Sequence, residues 1–178
     1  MKLAFFIGAH QPWYKELGDE LVRLRLRSDV SHCELAFEPG DGVDALLPDA
    51  TAQADASGAL WCASSVPWER MPAFSARRPG SRGGVRFARI NLNDASQWQT
   101  VELPWAGSDR KYDAARWFKA HEGSLYDWQE IAGFLAWVVP GKADRYACHE
   151  ACGTALGLTE AGRFDPASLR AAALWRRA

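Results

Sequence analysis

No stretch of this sequence is apolar for long enough to cross a bilayer. A spanning helix needs about 18 or more such residues, and the longest candidate, Ile131 to Val139, falls well short. Neither sign of charge dominates: 21 basic residues face 22 acidic ones, for a formal net charge of -1. That balance argues against bulk nucleic-acid binding and against an acidic solvating tail. Internal repeats and low-complexity tracts are missing. The apolar start, Met1 to Gly8, does not continue as a secretory leader, because Gln11, Lys15 and Glu16 follow without a small-residue cleavage site. The expected location is the cytoplasm.

Cysteine is sparse, with Cys33, Cys62, Cys148 and Cys152 alone. Nothing marks an oxidising compartment, so reduced thiols are expected. Cys148 and Cys152 have no second pair of ligands to complete a zinc site, so neither a metal nor a cofactor is expected. On a helix these two Cα atoms lie about 6 Å apart with badly directed Cβ vectors, which disfavours a disulfide and a redox role.

What the sequence does have is enough apolar material for a packed core, 48% of 178 residues, in a length that suits one domain over 1–178. Nine tryptophans are many for this length. Each offers a large apolar face and one N–H, so a Trp-lined cleft would grip sugars, peptides or acyl chains.

The patterning predicts strands at Leu3 to Ile7, Ser31 to Phe37, Leu60 to Val66, Val85 to Ile90 and Trp98 to Leu103. Helical spacing covers Tyr14 to Arg27, Ser108 to Glu122 with Ser108 as N-cap, and Trp128 to Trp137 up to the Pro140-Gly141 break. A further helix starts at Ala147 or Cys148, and a last one follows an Asp165 cap with Pro166 in its first turn. Glu38 to Gly58 reads as a loop with a helical turn near Val43 to Leu47. Ser75 to Gly84, which carries Arg77, Arg78 and Arg82, reads as an exposed loop and a gate over a cleft. The expected class is α+β, an antiparallel sheet from the first half with helices packed on one side.

Chemistry is expected at Cys148. A thiol at a helix N-terminus meets free N–H groups and the positive end of the dipole, which favour the nucleophilic thiolate. The same N–H groups suit an oxyanion. His32 lies in a strand and is the candidate base that takes the thiol proton. Glu34 shares the face of His32 and can orient the ring as the third member of a triad. His149 is expected as an exposed helix residue, with a second imidazole at the site as the alternative.

The segments Ser31-His32-Cys33-Glu34-Leu35, Gly123-Ser124-Leu125-Tyr126-Asp127-Trp128 and Tyr146-Ala147-Cys148-His149-Glu150 together resemble the circularly permuted branch of the papain-like NlpC/P60 superfamily, including its YiiX/YaeF-like and small phage-type hydrolases. In that branch the His strand precedes the Cys helix, as here, and the likeness runs from about residue 1 to 170. It implies a papain-like fold with Cys148 as nucleophile and His32 as base. It also implies a third polar group on the strand after His32, which points to Ser64 where the local face points to Glu34. Tyr126 matches a family Tyr that helps to bind substrate or oxyanion. The nucleophile motif departs from the family's usual Cys-Ser-Glu in having His149.

The resulting expectation is a cysteine hydrolase that cleaves an amide in a cell-wall-type peptide, or an ester, through a thioester. Its partner is a peptide or an acyl-containing small substrate, with no nucleic acid and no membrane span. The rivals are a lipid acyltransferase or thioesterase, which calls for an apolar pocket beside Cys148 and near the Ile131 to Trp137 helix, and an inactive binding module, which calls for Cys148 and His32 held apart.

Overall fold

The computed structural model describes residues 1–9, 13–128 and 144–175, with 13–18 as backbone only. The expected helix from Trp128 to Trp137 and its Pro140-Gly141 break therefore lie outside the described residues beyond Trp128. Five strands form one antiparallel sheet: β1 (Lys2–Phe6), β2 (His32–Phe37), β3 (Leu60–Arg70), β4 (Arg82–Ile90) and β5 (Trp98–Glu102), in the order β4-β3-β2-β1-β5. Helices α1 (Trp13–Leu26), α2 (Ser108–His121), α3 (Cys148–Ala155) and α4 (Pro166–Trp175) complete the α+β architecture. A short parallel ladder, β6 (Leu125–Tyr126) with β7 (Arg145–Tyr146), joins the segment after α2 to the residues just before α3. None of the described helices is long and apolar enough to cross a membrane.

Alternation along the strands sends Leu3, Phe5, Cys33, Leu35, Phe37 and Phe87 into one core. Phe118 of α2, Cys152 of α3 and Leu169 of α4 pack into the same cluster. Burying a side chain of that size is worth roughly 1.5–3 kcal/mol, so this face holds the helices to the sheet.

The second face is not solvated either. Ala4, Phe6, Glu34, Ala36, Ser64 and Arg86 are all buried. Val22, Arg25 and Leu26 of α1 line a cavity together with Phe6, Val66 and Trp98 of this face. The expectation of helices on one side thus holds for α2, α3 and α4 and fails for α1. The cause is the apolar side chains on the second face, which need cover of their own.

Strand β3 runs past its expected end at Val66 because Pro67 sits in a register shift between Val66 and Arg70, where its missing N–H breaks no ladder bond. Gly107, not Ser108, occupies the N-cap of α2, and no side chain caps that helix. Asp165 does cap α4: its Oδ1 accepts from the Ser168 N–H at 2.7 Å. The arginine loop is tied down rather than poised over the cleft. Arg78 Nη1 donates to the carbonyls of Gly83 and Gly123 at 3.2 and 3.3 Å, and none of Arg77, Arg78 and Arg82 lines the cavity.

Candidate active site

Strand pairing explains how Cys148 comes to meet β2. The β2–β3 ladder registers Leu35 with Ala63, Ala36 with Cys62 and Phe37 with Trp61, and stops before His32. Toward that end the Cys33 carbonyl instead accepts the Ser64 hydroxyl at 2.7 Å. Helix α3 packs across both strands, and its Cys152 thiol points at the same carbonyl at 3.8 Å. Cys148, the first residue of α3, is thereby delivered to the start of β2. Its N-cap, Ala147, has an extended backbone and supplies no side-chain cap, and Cys148 sits at the positive end of the α3 dipole.

His32 Nε2 lies 2.8 Å from Glu34 Oε1. With Nε2 engaged, Nδ1 is the nitrogen available to the thiol. Glu34 is fully buried and is gripped by Arg86, whose Nη1 and Nη2 donate to its two oxygens at 2.8 and 2.7 Å. Arg86 also donates from Nε to the half-exposed Glu69 at 3.0 Å. The order is therefore Cys148, His32, Glu34, Arg86, Glu69, from helix tip to sheet edge.

The ionisation of these groups follows from their neighbours. A hydrogen bond from the Cys33 thiol is the largest influence on Cys148. Burial opposes it, but the charge of His32 and a hydrogen bond from His149 add to it, and the thiol titrates well below its ordinary 9.0. Burial disfavours the His32 cation, yet the charge and hydrogen bond of Cys148, with Glu34 behind them, outweigh it and hold the imidazole well above its ordinary 6.5. Glu34 pays for its burial through the Arg86 charge first and His32 second, and ends below its ordinary 4.5. Cys33 is pushed well above 9.0 by burial and by its two neighbouring thiols, Cys148 and Cys152. Cys33 therefore stays a protonated donor while Cys148 carries the charge. A thiolate–imidazolium pair is the arrangement that attacks carbonyl carbon.

Cys148, His32 and Tyr126 line one cavity of about 170 Å³. Tyr126 is held there by the β6–β7 ladder, which pairs it with Tyr146 two residues before the nucleophile candidate. Ser64 does not line the cavity: its hydroxyl is fully buried and spent on the strand gap. Of the two polar groups that were candidates for orienting His32, Glu34 makes the contact. His149 is 1% exposed, which corrects the expectation of a surface residue. It follows Cys148 on the inward turn of α3, lines the same cavity and reaches the thiol.

Two side chains and the aromatic lining went unseen in the sequence. Arg86 left one signal, a charge on the strand face shared with Ala88 and Ile90. Cys33 left none, since its neighbour His32 points to the other face and only the parting of β2 and β3 lets Cys148 touch both. The cavity's Trp68, Trp98 and Trp128 were not separable from the other tryptophans. Among the described residues no group of His, Cys, Asp and Glu has the arrangement to hold a metal ion. No family model, no curated protein and no solved structure matches the chain.

Proposed function

We propose that this chain is a cysteine-dependent acyl hydrolase that cleaves an amide or ester bond through a thioester on Cys148. The observation that carries the reading is the single cavity that Cys148 and His32 line together, with His32 Nε2 held 2.8 Å from Glu34 Oε1 and Cys148 at the N-terminus of α3. An inactive binding module has no need of a buried carboxylate aimed at that ring. The order of the His strand and the Cys helix, with an antiparallel sheet between them, supports a papain-like fold of the permuted NlpC/P60 kind.

In this mechanism the Cys148 thiolate attacks the carbonyl carbon while His32 holds the proton. The first-turn N–H groups of α3 receive the developing oxyanion. His32 then gives its proton to the leaving amine or alcohol, and the thioester remains. Water loses a proton to His32, attacks the thioester and restores the thiol. Glu34 keeps the ring in place and stabilises the imidazolium without exchanging protons with substrate. Tyr126 borders the reacting centre.

The test is the pH dependence of Cys148 alkylation by iodoacetamide, followed by mass spectrometry. Rapid alkylation well below pH 9.0 that is lost in His32→Ala supports the hydrolase. Alkylation at the rate of an ordinary buried thiol, indifferent to His32, removes it and leaves a binding module.

A further inference from the structure

The substrate class is written in the wall of the cavity beside Cys148. Cys148 is only 3% exposed, so whatever bonds to its sulfur must occupy this cavity. His32, with its side chain 15% exposed, is the more open of the two, and the group it protonates leaves on that side. The acyl part is then the part that stays inside.

Much of the wall is apolar, with Phe6, Val22, Leu26, Val66, Ile90 and Trp98 among its residues. Its charged side chains, among the described residues, are already engaged. Glu34, Arg86 and Glu69 bind one another, Asp165 holds the Ser168 N–H, and Asp19, Arg25 and His149 each have a partner. A charged or peptide-like chain would find no free counter-charge among the described residues and would lose its hydration. The Ser31 hydroxyl, 8% exposed and beside His32, has no hydrogen-bond partner among the described residues. It suits a single polar atom close to the reacting carbonyl.

Size narrows the class further. The volume of about 170 Å³ slightly exceeds the roughly 150 Å³ of an apolar protein cavity that takes up benzene, which corresponds to about six to eight carbons. Shape adds to this. Val66 and Ile90 both line the cavity, and they belong to opposite ends of the β3–β4 ladder, where Val66 pairs with Gly84 and Leu60 with Ile90. A space drawn out along the strands suits a linear chain better than a ring.

We infer that the cavity lined by Phe6, Val66 and Trp98 is an acyl-binding pocket, and that the enzyme acts on esters, thioesters or amides of a neutral, linear acyl group of about six to eight carbons. This rests on Cys148 being the acyl-accepting nucleophile.

The test is the rate of p-nitrophenolate release from p-nitrophenyl esters of two to sixteen carbons. Each protein is scored by its own ratio of kcat/KM for hexanoate over acetate, which does not depend on the fraction that is folded. The wild type is expected to give a ratio of at least tenfold and a fall beyond octanoate. Val66→Trp fills the pocket and should bring the ratio near one. Trp98→Ala enlarges it and should move the optimum to longer chains, a change that poor folding does not imitate. In parallel, Cys148→Ala protein is titrated with hexanamide and acetamide and followed by tryptophan fluorescence. Saturable quenching by hexanamide alone is expected. Ester turnover that is flat with chain length, or that rises to sixteen carbons, overturns the pocket and leaves the hydrolase standing. Hexanamide binding with no turnover of any ester keeps the pocket and removes the hydrolase. Neither binding nor turnover removes both.

Discussion

Arg86 and Glu34 meet through two parallel hydrogen bonds of 2.8 and 2.7 Å, with both side chains 1% exposed. The pair is the fixed end of the candidate site. The guanidinium charge is the main influence that keeps so deeply buried a carboxylate ionised, and an ionised Glu34 is what His32 faces. Removing one partner of a buried pair strands the other charge and typically costs about 3–5 kcal/mol, whereas replacing both with apolar groups is often close to neutral. Arg86→Met alone should therefore lose stability of that order in urea unfolding, and Glu34→Met with Arg86→Met should recover most of it. The recovered double variant should still alkylate slowly at Cys148, because His32 has lost its orienting group. Fast alkylation in that protein would show that Glu34 serves the fold and not the site.

The pH profile has a sign on each side. Cys148 titrates below 9.0, so reactivity rises as pH climbs through that lowered value and the thiolate appears. His32 titrates above 6.5, so the imidazolium that protonates the leaving group is lost as pH climbs through that raised value. Ester turnover should be bell-shaped between the two, with the acid limb set by Cys148 and the alkaline limb by His32, although coupling makes both limbs properties of the pair. Glu34→Gln weakens the support of the cation and should draw the alkaline limb downward. An alkaline limb that stays in place would exclude Glu34 from the ionisation of His32.

How much of this could be read beforehand depended on whether the signal was local. The strands of β1, β2 and β4, the helices α2 and α4, and the Asp165 cap rest on periodicity and on contacts within a few residues, so their residues announce them. The face shared by His32 and Glu34 follows from two-residue alternation alone. The parting of β2 from β3 does not, because it depends on Ser64 taking the Cys33 carbonyl across 31 residues of chain. The burial of His149 likewise depends on which way α3 faces the sheet. Arg86 was visible as an anomaly, and only the fold supplied its partner.

Gly84 tests the contact between β4 and the segment leading into β6. Its φ is +134°, and a Cβ there would run into the Ser124 carbonyl, the acceptor of the Val85 N–H at 3.0 Å. Gly84→Ala has a positive φ and a steric clash together, and strain of this kind costs on the order of 1–3 kcal/mol. The expected result is a lower melting temperature, with ester turnover reduced because Tyr126 is carried on the displaced segment. An unchanged melting temperature would mean that this approach of Ser124 to β4 is not kept in solution.

Cys33 is the residue whose part in the site was least expected, and it gives the sharpest test. Its thiol, as a donor toward Cys148, is the largest single cause of that thiol's lowered titration point. It keeps its own proton because burial and the two neighbouring thiols push its pKa up. Cys33→Ala removes the donor with little change in volume and should shift the acid limb of Cys148 alkylation to higher pH. Cys33→Ser restores an O–H donor and should bring the limb back toward the wild-type position. Cys152→Ala, which removes a thiol from the same strand contact but not the donor to Cys148, should leave the limb where it is. A packing role for Cys33 would move the melting temperature in all three variants and the acid limb in none. A donor role moves the limb in Cys33→Ala alone, whatever happens to stability.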